Sequence, residues 1–215
     1  MTQGNRTFVD KPLEKSLTQA ERRAASEVRL LRAAAELISE GGVTAATFER
    51  IGQRAGLSRG LVSQRFGSKE GLINALVENV VQSFDEILFD HHIHELPPHE
   101  GLIAFVDIYL SDNDEHAVHD MYHVMLAESL CAQPALRPLF AGVHDVVRVR
   151  LRAMIEEGQR LGTVYRELDP DATAISLGAF LLGVRIQCMV DPRTDIEAVR
   201  KNAINSLRAM LGIGG

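Results

Sequence analysis

Between Thr47 and Phe66 two short helical segments meet at Gly56 in a tight corner. Thr47 is suited to cap the first segment, whose Phe48, Ile51 and Ala55 fall on one helical face. Gly56 permits a tight turn, and Ser58 caps a further helix of about two turns that stops near Phe66-Gly67. Within it Val62 and Phe66 lie one turn apart and, with Leu57, pack it onto its neighbours. Arg59, Gly60, Leu61, Ser63, Gln64 and Arg65 are left on the outer surface or its edges. Two short helices joined by a glycine turn form a helix-turn-helix, whose second helix can enter a DNA major groove. The same corner also serves as plain packing in helical proteins.

The flanking sequence is helical too. Thr18-Gln19-Ala20-Glu21 has the form of a capping box, and the stripe Ala24, Val28, Leu31, Ala35, Ile38 follows it until Gly41-Gly42. Arg29, Arg32, Glu36 and Glu40 take the outer face of that helix. Ser68 caps a fourth helix carrying Leu72, Leu76, Val80, Phe84 and Ile87. Beyond Pro97 the pattern predicts helices over 98–111, 115–131, 134–161, 170–190 and 195–211, broken at Pro97-Pro98, Pro134, Gly162, Pro170 and Pro192. No stretch alternates with period two, so the expected fold is all-α. It divides into an arm over 1–17, a three-helix helix-turn-helix domain over 18–67 and a helical body over 68–215. In the arm, Arg6, Lys11 and Lys15 either touch phosphates or belong to a solvated tail.

Charge agrees with this division. Residues 1–70 carry a net +4 and residues 71–215 a net −10, which suits a chain that presents one end to a polyanion. Cys131 and Cys188 have neither CxxC spacing nor a histidine at zinc-finger distance, as expected of a protein in a reducing cytoplasm without structural zinc. The start is polar, without a signal peptide, and the apolar run from Ile175 to Val184 is cut by Arg185, too short for a bilayer that needs about 20 residues. No membrane partner is expected.

The surface of the second short helix has the chemistry to read bases. Gly60 lets the backbone approach DNA, Gln64 can pair with adenine, and Leu61 can touch a thymine methyl. Arg59, Arg65 and Lys69 can neutralise phosphates, Lys69 beside a helix N-terminus; Thr47 and Ser63 complete the candidate DNA-binding set.

These residues carry a resemblance. Ala33-Ala34-Ala35-Glu36-Leu37-Ile38, Gly41-Gly42, Thr47, Ile51-Gly52, the run Ala55 to Gly60, Phe66 and Ser68-Lys69-Glu70-Gly71-Leu72 are similar to the DNA-binding domain of the TetR (tetracycline-repressor-like) family. Ser63 stands where that family usually has an aromatic, commonly a Tyr that reaches a phosphate, and Arg65 where it often has His. Arg65 and Ser63 are then expected to replace that contact. Gly52 stands where Ala is usual, which weakens a helix by about 1 kcal/mol or less.

The resemblance implies that residues 68–215 bind an effector and form a homodimer. The joint Gly158, Gly162, Leu168-Asp169-Pro170 matches a family junction between two long helices. The last two helices supply the expected dimer stripes, Leu177, Leu181, Val184, Cys188 and Val199, Ala203, Leu207, Met210, alternatively packed inside one subunit. Phe105, Tyr109, Met121, Tyr122, His123, Met125, Phe140 and Phe180 are candidates for an effector pocket, or else core residues. His116, His119 and His123 share a helix face and His91, His92 and His94 cluster, but neither set shows the convergent ligands of a metal site. Neither a Ser/His/Asp order nor a phosphate loop is evident, so no catalytic residue and no cofactor are expected. The reading is a regulator that binds double-stranded operator DNA as a homodimer, a repressor released by a small apolar effector. An activator or effector-independent regulator, or an all-helical carrier or enzyme, are the alternatives.

Overall fold

The helix starts that the sequence marks with a hydroxyl are helix starts in the computed structural model, which describes residues 18–111 and 116–213. Thr18 Oγ1 accepts from Glu21 N at 3.2 Å while the Glu21 carboxylate accepts from Thr18 N at 2.6 Å, opening α1 (Gln19–Gly41). Thr47, Ser58 and Ser68 cap α2 (Phe48–Ala55), α3 (Arg59–Phe66) and α4 (Lys69–Asp90). Each oxygen satisfies a backbone N–H that the helix itself leaves orphaned. Next come α5 (Pro98–Leu110), α6 (His116–Leu130) and α7 (Arg137–Leu161). Asp169 and Asp195 cap α8 (Pro170–Val190) and α9 (Ile196–Leu211). The described residues hold nine α-helices and no strand. The N-terminal arm with Arg6, Lys11 and Lys15 lies outside them.

Two apolar cores organise the chain. The first gathers α1, α2 and α3 with Leu72, Ile73, Leu76 and Val77 of α4, and it continues into the body through Met121, Tyr122 and Met125 of α6 and Phe140 of α7. The second joins the end of α4 to α5, α7, α8 and α9. In α1 the buried face is Leu30, Leu31, Ala33, Ala34, Ala35, Leu37 and Ile38. Ala24 and Val28, expected to face inward, are exposed, Val28 by 65%; the buried face of α1 begins only at Leu30.

α8 corrects the expectation about length. Taken with Arg185 included, Pro170–Val190 is long and apolar enough to cross a membrane by length and composition. Within the chain, Leu177, Leu181 and Arg185 are buried, and α8 is a wall of the second core.

Candidate nucleic-acid interface and effector cavity

The α2–α3 corner is built from backbone proximity. Gly56 adopts φ 64°, the left-handed region, and Leu57 N donates to Gly52 O at 2.8 Å. A Cβ at Gly52 would fall 2.8 Å from the Leu57 carbonyl oxygen, so this glycine lets the turn close flush on α2 rather than only weakening the helix. Val62 and Phe66 are buried beneath α3 and Leu57 packs beside them.

Outward, α3 presents a narrow strip. Arg59, Gly60, Ser63 and Gln64 are exposed, and no hydrogen bond or ion pair among the described residues engages the three side chains. Their spacing, two adjacent pairs one turn apart, places them on one face. The other expected contacts have partners at home. Leu61 is half-buried against the first core, Arg65 pairs with Glu27 of α1, and the Thr47 hydroxyl accepts from Arg50 N at 3.2 Å. A Cβ at Gly60 would meet only Ser58 Oγ at 3.8 Å, an ordinary contact. Nothing inside the subunit asks for glycine there, although glycine costs a helix about 0.5–1 kcal/mol relative to alanine.

Lys69 sits differently from its expected role on phosphate. Its Nζ donates to the carbonyls of Val43 at 2.6 Å and Ala46 at 2.5 Å, in the 3-10 turn between α1 and α2. Burial pushes the ammonium below the usual lysine range, opposed by the nearby Glu128 carboxylate. Glu128 of α6 in turn accepts from Val43 N at 3.1 Å. The turn that leads into α2 is thus held from α4 and from α6 at once. Lys69→Met is expected to lower stability by about 1–3 kcal/mol, the cost of unsatisfied carbonyls, without changing the salt dependence of DNA binding. Urea unfolding and binding at two salt concentrations check this; a slope reduced by one phosphate would restore the DNA-contact role.

In the body, a cavity of about 510 Å³ lies between α4, α5, α6, α7 and α8. Phe84, Phe105, Tyr109, Tyr122, His123, His144 and Leu181 are among its walls. Four of the eight expected pocket residues are there: Phe105, Tyr109, Tyr122 and His123. Met121, Met125 and Phe140 are instead buried in the first core, on faces of α6 and α7 turned toward the helix-turn-helix, and Phe180 is exposed on α8. Tyr109 Oη lies 3.4 Å from His123 Nε2. Burial raises the Tyr109 phenol to about 12 and Tyr122 higher still, so both stay protonated, and burial lowers His144, keeping it neutral. His144 Nε2 is buried without a hydrogen-bond partner. A more open groove of about 700 Å³ runs outside along Glu78, Gln82 and Glu86 of α4, less enclosed than the cavity.

Of the histidines considered for metal, His91 Nδ1 lies 2.8 Å from Ile87 O and His94 stacks on Phe89. The side chains of His116 and His119 fall outside the described residues.

The expected dimer stripes belong largely to the subunit's own core. Leu177, Leu181, Ala203 and Leu207 are buried within the second core, and Val184 packs against it. Cys188 and Val199 are half-buried and Met210 is exposed. The exposed apolar side chains of α8 include Ile186 and Val190 toward its C-terminal end, and Ile175 and Ala179, which also border the cavity. Sequence reasoning missed these side chains, and it missed Arg185, Glu128 and His144. Arg185 was legible in principle, as a lone charge in an apolar helix.

Comparison with known proteins adds identity. Residues 30–76 match the model of bacterial regulatory proteins of the tetR family, and residues 98–212, more than half of the chain, match the C-terminal domain of BetI-type transcriptional repressors. The regulator UidR of Escherichia coli (strain K12) is 25% identical over 192 residues, 87% of this chain and 91% of that protein. BetI of Stenotrophomonas maltophilia (strain R551-3) is 34% identical over 86 residues, 40% of this chain, which span 44% of that protein. A transcriptional regulator from Saccharomonospora viridis, solved in complex with choline, shares the fold with a TM-score of 0.68 and 24% identity, over 89% of this chain and 97% of that one. With a tetR-type helix-turn-helix on a BetI-type body, the chain belongs to the TetR family of DNA-binding transcriptional regulators.

Proposed function

We propose that two copies of this chain set their α3 helices about 34–36 Å apart in successive major grooves of a palindromic operator, acting in the cytoplasm as a repressor. The observation that carries the reading is the free strip Arg59, Gly60, Ser63, Gln64, with a glycine that the subunit itself has no use for. The exposed apolar face of α8 is assigned to the second copy, since such a face in water favours burial against its twin.

A small molecule in the cavity is the assigned effector, and choline, held by the Saccharomonospora regulator, is one compound to test. Two helices can transmit its arrival. α4 runs from the end of α3 to the cavity wall at Val80, Val81 and Phe84. α6 gives Tyr122 and His123 to the cavity, Met121 and Met125 to the first core, and Glu128 to the turn before α2. A shift of α6 therefore reaches the reading head directly. A coupling of about 1–3 kcal/mol per site suffices to release DNA.

A gel shift and footprint with the DNA upstream of its own gene tests the reading: a protected palindrome supports it, and no specific site in any nearby promoter sinks it. On that operator Gln64→Ala is expected to cost about 1–3 kcal/mol and relax preference at one base pair per half-site. Selection from randomised operators measures this, and an unchanged consensus would remove Gln64 from base reading.

A further inference from the structure

We propose that the cavity recognises an anionic amphiphile, a carboxylate on an apolar body, with Arg185 as its counter-ion. The proposal rests on the cavity being the effector site. Arg185 is only 8% exposed, yet no carboxylate among the described residues pairs with it. Arg185 is not itself one of the lining residues: it stands one turn beyond Leu181, where the stripe Ala174, Gly178, Leu181 that lines the cavity ends. Its charge is felt by the phenol of Tyr109, another wall residue.

The other charges of this region are already matched. Arg150 pairs with Asp85 at 2.7 Å, Arg148 with Asp145 and with Asp171 at 3.5 Å, and Asp107 of α5 is taken by Arg200. Arg185 is therefore the one buried charge left over among the described cavity-facing elements. A guanidinium so largely buried, without an ion pair among the described residues, is open to a partner, and a planar carboxylate is the one whose geometry fits it. The protonated phenols of Tyr109 and Tyr122 can donate to the same anion, while Phe84, Phe105 and Leu181 offer an apolar bed for the remainder.

Calorimetric titration of the full chain with decanoate, decanol, decyltrimethylammonium and choline tests this, together with Arg185→Met and Arg185→Lys. Decanoate is expected to bind saturably, about tenfold or more tighter than the neutral and cationic probes. Arg185→Met should bring decanoate down to the affinity of decanol while raising the melting temperature of the unliganded protein, a gain that no supporting strut would show. Arg185→Lys should keep part of the preference for the anion. Decanoate failing to bind, a cation outcompeting it, or Arg185→Met binding it like the parent overturns the proposal. Should Arg185→Met fail to fold, the ranking on the parent chain and the lysine variant decide.

Repeating the titrations over operator DNA separates the two readings. Release by a cation alone removes the anion and keeps the effector site. Binding of decanoate through Arg185 with no effect on DNA keeps the anion site and removes its regulatory role.

Discussion

Ile186→Glu is expected to leave the subunit folded and to reduce operator affinity by a factor on the order of 10³ or more, toward the non-specific level. Ile186 is 44% exposed on the outer face of α8, so within one subunit the new carboxylate stays in water and stability should change by about 0.5 kcal/mol or less. In a two-fold dimer the same substitution enters the interface twice, burying two charges of one sign without partners. A lone subunit can still touch one half-site but loses the paired contacts that a palindrome requires. Sedimentation equilibrium, circular dichroism and operator titration measure the three parts. A variant that remains dimeric, or a monomer with full operator affinity, would send the search for the interface elsewhere on the body.

The second large effect belongs to Gly60. Gly60→Leu should stabilise the protein by about 0.5–1 kcal/mol, because leucine is a strong helix former and a Cβ here meets only Ser58 Oγ at 3.8 Å. Operator binding should fall at least about tenfold, the loss of about 1.4 kcal/mol, as the side chain fills the space between α3 and the groove floor. Opposite signs in the two assays are the diagnostic result. If thermal stability rises and operator binding is untouched, α3 does not enter the groove with this face.

Local chemistry made much of the fold readable. Thr18, Thr47, Ser58 and Ser68 mark helix starts through a hydroxyl that acts within three residues, and Pro97, Pro170 and Gly162 mark boundaries through backbone geometry. The candidate DNA strip was legible for the same reason, since helical periodicity around Val62 and Phe66 leaves Arg59, Gly60, Ser63 and Gln64 outside. Periodicity was less able to choose between two apolar faces. In α8, one face holds Leu177 and Leu181 and another holds Ile175 and Ile186; which turns toward the subunit's own core depends on where α5, α7 and α9 lie.

Long side chains were the least legible. Lys69 and Arg65 carry the charge that suits phosphate, but carbonyls of Val43 and Ala46 and the carboxylate of Glu27 lie within their reach in three dimensions. Met121, Met125 and Tyr122 share α6, and a rotation of under half a turn decides that the methionines enter the first core while Tyr122 also faces the cavity.

By itself, the sequence determined an all-helical chain with a helix-turn-helix at Thr47 to Phe66, because capping and periodicity act over a few residues. Only the tertiary structure decided which charges are free. Ion pairing and burial depend on groups far apart in the chain, and that is why Arg65 and Lys69 turned out to be occupied and Arg185 unmatched among the described residues.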